Sequence, residues 1–523
     1  MERTEIVMPK GINRDLSPFE LPPEMWSDGN NVNFRRMRTN STLGYSNPFS
    51  LEDAEVSPTY LQYFTDNIDP FWLYCGDTGT GSRVYKTDGA TATEVSTTEF
   101  TITRDASWSG CNFNSLVVLN ARSEHPQVLP YPYTTLVDMP NWGSTAWPAA
   151  SRCEVIRPYK NYLIAMDCYD DIGTRYANMV RWSSPAQQGD VPDSWDPEDP
   201  ASSAGLYNLA DTPGRIVDGL TLGDYFVIYK SDAVWVMQFI GGTFTMKFRK
   251  LFGDEAGALN KDCIAEFEGK HFVLGPAGAY IHNGSSKEEI MDNWVKDELF
   301  LNINPDYRSD VRVAVDHNNG EIWVYYVSTN TSLPYADKAL IWNWREAIWT
   351  KRDLQDASFI AEGYVDPNGT GVDGWDSDSG TWDEALDVWD GEISFNSQLK
   401  TLLIANYTDQ KFYANEYVSG TDKFFPQSFV KRIGIDMNDD RSFKLVTRIV
   451  PHIQSANPVN VTIFMSDVQT PSPTIAATAI FRPGIDEDID CHCVGRYIGI
   501  QFESSSTWTL NGYTIEWKRV GKY

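Results

Sequence analysis

The side chains able to do chemistry in this chain are its carboxylates, six histidines, seven cysteines and an unusual run of tryptophans. Trp375-Asp376, Trp382-Asp383 and Trp389-Asp390 recur every seven residues inside an acidic, Gly-rich stretch. Asp376, Asp378, Asp383 and Asp387 offer the hard oxygen ligands that calcium takes. The spacing argues against a calcium loop, because Gly380 falls one place early and the twelfth position is Asp387 instead of Glu. Trp375, Trp382 and Trp389 therefore read either as local packing or as candidate docking residues for a sugar or another protein. The histidines, His125, His271, His282, His317, His452 and His492, are scattered and read as structural. Cys491-His492-Cys493 is too tight to supply three tetrahedral zinc ligands. There is no Gly-x-Ser-x-Gly elbow, no His-Glu-x-x-His and no phosphate-cradling loop. No catalytic residue, metal or cofactor is expected, although a glycosidase-type carboxylate pair stays open where carboxylates are this abundant.

The elements that position these residues are short strands. Tyr225-Phe226-Val227-Ile228-Tyr229 turns at Lys230-Ser231-Asp232 into Ala233-Val234-Trp235-Val236-Met237. The plan recurs at His271–Leu274 with Ala279–His282, and at Glu321–Tyr326 with Leu340–Trp344. Earlier copies are Phe71–Cys75 with Arg83–Tyr85, Leu116–Asn120 with Gln127–Pro130, and Tyr162–Asp167 with Met179–Ser183. β-Branched and aromatic runs of this length, bounded by Gly, Asp and Asn, argue strand over helix. Recurrence at about 45 residues is the spacing of propeller blades. A candidate seventh unit, Leu402–Asn406 with Lys411–Tyr413, follows a longer gap, so six and seven blades both remain open. Stacked β-sandwiches are the rival; the regular spacing favours the propeller.

The expected fold is thus all-β: a six- or seven-bladed β-propeller with an N-terminal extended arm, loop insertions and a C-terminal β-sandwich. The arm covers 1–55, the blades 56–355, the acidic Trp-Asp insertion 356–395, a candidate last blade 396–430 and the sandwich 431–523. The sandwich is read from period-two alternation in Phe443–Ile449, Val459–Phe464, Tyr497–Phe502 and Tyr513–Trp517. In the arm, apolar residues stand singly, at Ile12, Phe19, Leu21, Trp26, Val32 and Phe34. Such a segment must lie on another surface: its own propeller, or a neighbouring subunit, which makes Trp26 and Phe34 candidate interaction residues.

Formal charge is −29. An acidic surface repels nucleic-acid phosphates and anionic membranes over a Debye length of about 8–10 Å. Tight DNA wrapping would need a basic stripe, and none is evident in the sequence. The odd, scattered cysteines resemble reduced thiols more than a disulfide framework. The N-terminal Met1-Glu2-Arg3-Thr4-Glu5 lacks a signal-peptide apolar run, and no window approaches a membrane span.

Several segments resemble known proteins. Gly11-Ile12-Asn13-Arg14-Asp15 through Trp26-Ser27-Asp28-Gly29-Asn30-Asn31-Val32-Asn33-Phe34-Arg35 is similar to the start of tail proteins of short-tailed bacteriophages. Pro213–Leu220, Ile240-Gly241-Gly242, Gly269–Gly275 and Ala339–Trp344 share the resemblance. Gly495-Arg496-Tyr497-Ile498 and Leu510–Ile515 resemble the end of the packaged-DNA stabilisation proteins of such phages. The resemblance covers most of the chain through structural motifs. It implies a tail nozzle in the virion, assembled in the host cytoplasm as a homo-hexameric ring below the head-to-tail adaptor ring. Tail fibres or tail-tip proteins would be further partners. Double-stranded DNA would pass without tight binding and be retained until ejection. The Trp-Asp insertion departs from that pattern. The alternative is a polysaccharide-binding or polysaccharide-degrading propeller, although Ser377–Trp382 only approximates the Asp-box turn of sialidase-like propellers, with Trp382 one place early.

Overall fold

A computed structural model describes residues 2–522 apart from 8–9, 52, 66–69, 145–146, 200, 243, 254–255, 366–398 and 418–422. Trp375, Trp382 and Trp389 lie outside the described residues. Five antiparallel four-stranded sheets follow one another at 57–94, 109–138, 152–208, 216–252 and 264–289. The sixth and seventh are fused. Ile348–Val365 pairs with Ala336–Asn343 as far as Ala357, and from Ala357 onward with Leu399–Asn406. One strand is thus the outer strand of blade 6 and the inner strand of blade 7. The hand-over falls beside Asp356, whose φ of 41° turns the chain between the two. The first strands of the blades pack neighbour on neighbour around a closed ring: Ser57–Phe64, Ser109–Phe113, Arg152–Tyr159, Ile216–Leu222, Ile264–Phe267, Arg312–Asp316 and the end of Ile348–Val365. The protein is a seven-bladed propeller.

The seven hairpins visible in the sequence are the second and third strands of the seven blades. These strands bury both faces, as in Leu116–Asn120, where all five residues are buried, and so read as continuous apolar runs. The first strands escape notice because they carry polar side chains toward the axis.

The segment 1–55 is not a free arm. Glu2–Val7 and Arg38–Ser41 pair with Trp508–Lys522, and Val32–Arg35 pairs with Arg38–Ser41. Asp28–Asn30 pairs with Ser428–Ile435 in a second sheet. Two sheets result, of six and five strands, each holding strands from both ends of the chain. Between them lies one core containing Ile12, Trp26, Val32, Phe34, Ile449, Ile463, Ile500 and Ile515. Trp26 and Phe34 are 3% and 4% exposed, so these two residues serve the chain's own sandwich and are not presented to a neighbouring subunit. The Trp26 indole donates to Thr39 Oγ1 at 3.2 Å. Their single spacing along the sequence follows from this: the apolar residues of short strands and turns point into a core whose other side chains come mostly from the far end of the chain.

Tyr45–Ser46 then pairs with Lys411–Asn415, giving blade 7 an outer strand and closing the ring. The acidic insertion expected over 356–395 also starts later, since the inner strand of blade 7 runs to Val365. The sandwich is fastened to the propeller by Arg35, whose guanidinium meets Glu321 at 2.6 Å and Glu416 at 2.7 Å. Asp15 accepts from the backbone N–H groups of Asn293 and Trp294, capping the helix Asn293–Asn302 between blades 5 and 6. Among the described residues no helix is long and apolar enough to cross a membrane.

Replacing Trp26 by Ala is expected to cost about 3–5 kcal/mol in chemical denaturation, as for a large aromatic in a closed core. An arm bound only to a neighbour would lose nothing as a monomer.

Candidate functional site

In an antiparallel blade the turns after strands 1 and 3 share one end, and those after strand 2 and between blades share the other. The second face gathers the polar residues of the first strands at the propeller axis. Arg157 of blade 3 donates from Nε and Nη2 to the two carboxylate oxygens of Asp218 of blade 4, at 2.9 Å each. Its Nη2 also meets Asp262, before blade 5, at 2.8 Å, and Nη1 reaches the Gly110 carbonyl of blade 2 at 3.0 Å. Burial works against the Arg157 charge, but the two carboxylates outweigh it and hold it firmly protonated. Four blades are tied by one guanidinium. Beside it Gln62 of blade 1 donates to Asn112 of blade 2 at 2.6 Å.

The connector 100–108 crosses this face. Its 3-10 turn, Arg104–Ala106, places Arg104 over the Tyr307 ring at 3.9 Å, donating to Asp310 and to the Pro334 carbonyl at 2.6 Å each. Lys261 donates to the Ser107 carbonyl at 2.6 Å, and burial lowers its pKa. On one side of the connector is a cavity of about 430 Å³, walled by Trp108, Tyr325, Tyr335 and the buried Arg312. On the other is one of about 220 Å³, walled by Arg122, Glu154, Arg215 and Lys261. The propeller's own axis is therefore filled by paired side chains and roofed by a loop. Its chemistry among the described residues is that of charge pairing. Among the described residues no three His, Cys, Asp or Glu groups gather closely enough to hold a metal ion.

Two further clusters sit in the blades. Tyr229 lies buried between His271 and His282, its hydroxyl 2.7 Å from Nδ1 of the first and 2.6 Å from Nε2 of the second. His271 Nε2 is 2.9 Å from the Thr221 carbonyl, so it carries the proton and Nδ1 accepts from Tyr229. His282 Nδ1 accepts from Gly284 N–H, which leaves Nε2–H to donate to the Tyr229 oxygen. Every position is satisfied with both rings neutral. Burial lowers the His271 pKa to about 4, and burial with the neighbouring His271 lowers that of His282 to about 3. Arg181, also buried, lies over Trp142, Trp147 and Trp195 at 4.9, 5.0 and 5.8 Å, and burial lowers its pKa. Trp195 comes from the proline-rich insertion at 185–205, which is thus anchored on a cation instead of hanging free.

His125 packs edge-on against Trp142 of the arginine cluster, with ring centroids 6.2 Å apart, while His317, away from both clusters, meets Glu362 at 2.7 Å. None of the seven cysteines forms a disulfide. Burial pushes the Cys111, Cys168 and Cys491 thiols up to about 12, which disfavours the thiolate at neutral pH. Sequence reading missed Arg157, Asp218, Asp262 and Arg312. The signal was a charged residue inside an otherwise apolar strand, as in Val155-Ile156-Arg157 and Ile216-Val217-Asp218.

No family model matches this chain, and no curated protein matches its sequence. Among solved structures, a Mycobacterium tuberculosis puromycin-hydrolyzing peptidase is similar at 10% identity and a TM-score of 0.35, over 75% of this chain and 61% of that one. The N-terminal domain of Nup159 gives 10% and 0.36, over 74% of this chain and 98% of that domain. PorZ, a component of the type-IX secretion system of Porphyromonas gingivalis, gives 8% and 0.33, over 76% and 43%. Likenesses this remote carry nothing about activity.

Between about pH 6.5 and 4 the unfolded imidazoles bind protons that folded His271 and His282 refuse. Unfolding takes up protons in that window, so their contribution is complete above about pH 6.5 and falls with acid, by roughly 1.4 kcal/mol per unit for each histidine. His282→Gln keeps a donor for Tyr229 and is expected to flatten the fall in urea-denaturation stability from pH 6.5 to 4.5. An unchanged slope would show that other groups set it.

Proposed function

We propose that this chain is a structural virion protein, the tail nozzle of a short-tailed bacteriophage. Copies would form a ring, hexameric by the resemblance, below the head-to-tail adaptor, retaining packaged DNA and conducting it during ejection. The observation that carries the reading is where the resembling segments lie. The opening block at 11–35 and the closing blocks at 495–498 and 510–515 fold together in one sandwich. The block at 213–220 supplies Asp218 to the axial charge network. Segments far apart in the chain are thus the ones that hold one body together, as a shared architecture would require.

Two physical features favour the same role. The propeller axis is filled, so a duplex would pass between copies and not through one; a closed ring provides that passage. A net charge of −29 lowers the affinity of such a wall for phosphates. The role needs no turnover, and tail fibres or tail-tip proteins would dock on the outer loops.

Mass photometry of the chain, alone and mixed with an adaptor ring, tests this. A six-fold ring with an open centre is the expected product, without hydrolysis of host glycan. A chain that stays monomeric beside a competent adaptor would falsify the nozzle reading, and glycan cleavage lost on one carboxylate substitution would replace it.

A further inference from the structure

Two free sheet edges, one in the sandwich and one in the propeller, have opposite character. The first is Thr474–Phe481, the last strand of the five-stranded sandwich sheet, paired only with Val459–Ser466. Its eight residues, Thr-Ile-Ala-Ala-Thr-Ala-Ile-Phe, include neither a charge nor a proline, the devices that usually blunt an open edge. Ile463 pairs with Ala477 and Phe464 with Ile475, so Ala476 is an extra residue in the ladder. That bulge turns Ile475 onto the same outward face as Ile480. Both are 64% exposed, and Val468 and Ile485 extend the apolar stripe at its two ends. Asp486, Glu487, Asp488 and Asp490 follow at once. Arg482 pairs with Asp486, and Arg448 with Asp488 and Asp490, which leaves the surroundings of this edge acidic.

The second edge is Met246–Phe252, the outermost strand of blade 4, paired only with Val234–Phe239. Lys247, Arg249 and Lys250 are exposed on it, a dense cationic run in a chain of charge −29. Among the described residues none of the three has a carboxylate within ion-pairing distance. Exposed apolar groups stand beside it too: Ile240 and Phe244 in the preceding turn, and Tyr207 stacked on Phe248 at 4.5 Å. The sandwich rests on blades 6 and 7 through Arg35, whereas this strand belongs to blade 4. The two edges therefore belong to different parts of one molecule, one to the sandwich and one to blade 4 of the propeller.

We infer that these edges pair between copies, with Thr474–Phe481 of one copy continuing the blade 4 sheet of the next. This rests on the ring reading above and names its contact. Backbone pairing supplies the attraction, the exposed Ile and Phe side chains lose water, and charge selects the arrangement. Two cationic edges repel each other, as do two acid-flanked ones. A two-fold dimer through like edges is disfavoured, and head-to-tail growth, the kind of contact from which a ring is built when its rotation closes, is favoured.

Lys247→Glu/Arg249→Glu/Lys250→Glu and Ile475→Lys/Ile480→Lys change only exposed side chains, and circular dichroism would show each folded. Assembly is read by mass photometry and sedimentation, with and without the adaptor ring. Each variant alone is expected to assemble at least tenfold more weakly than the wild type, and high salt to weaken the wild type. An equimolar mixture should recover, because the new acidic edge meets the new cationic one while the two unaltered edges meet each other. Variants that assemble like the wild type, or a mixture that does not recover, would overturn this contact while leaving the ring intact. A wild-type chain that never assembles would sink ring and contact together. Duplex DNA retained by the wild type and lost by the triple variant, with assembly unchanged, would assign the cationic strand to phosphates and overturn the pairing.

Discussion

A propeller is a strip of sheets bent into a circle, and it holds only if the last sheet is fastened to the first. Here the fastening is non-local. Tyr45–Ser46, near the start of the chain, completes the blade built by Leu399–Asn406 and Lys411–Asn415, near its end. The residues before Tyr45 are then carried onto the sandwich, and after Lys423–Phe424, which still pairs with Tyr45–Ser46, the strand Ser428–Ile435 enters it. The contact of the two domains follows from this closure. Arg35, Glu321 and Glu416 meet because the strand that closes the ring delivers Arg35 to the rim of blades 6 and 7. A buried ion pair of this kind adds little net stability over an apolar contact, but leaving one partner alone is costly. It therefore fixes how the domains sit more than how firmly they hold.

Arg157 and Arg181 of the propeller solve one problem in different ways. Arg157 is surrounded by carboxylates at the axis, where inner strands of several blades converge and can each contribute a group. Arg181 lies within blade 3, where the available neighbours are tryptophans, and its charge faces ring π-clouds instead. Desolvation dominates in the second case, and paired charge in the first. Both tie irregular connections to regular strands. The insertion at 185–205 and the connector at 100–108 owe their placement to cations held by the sheets or reaching from the loop.

The seven strand pairs were legible because their residues face protein on both sides, and burial on both sides leaves an unbroken apolar run. The blade number was not legible. The seventh blade borrows its inner strand from the sixth and its outer strand from the N-terminus, so no contiguous stretch spells it out. The arm failed for a related reason: Trp26 and Phe34 look isolated when read along the chain, since their neighbours in the core, Phe502 and Tyr513 among them, are hundreds of residues away. The axial residues were hidden differently. Arg157 and Asp218 look like interruptions of strands until the strands are arranged around a common axis.

Closure by the first strand has a consequence in time. During synthesis Tyr45 emerges early and must wait for Lys411–Asn415, and Trp26 must wait longer still for Phe502 and Tyr513. Blades 1 to 6 can form in order as they leave the ribosome, each on the one before. The ring stays open until Lys411–Asn415 has been made, and the first segment keeps its apolar side chains unburied until Phe502 and Tyr513 have followed. Loop closure across such a separation is slow, and exposed strand edges in the waiting intermediate invite wrong partners. Burial of that first segment, more than the formation of any single blade, is then the step at which the exposed edges and apolar side chains are withdrawn from wrong partners.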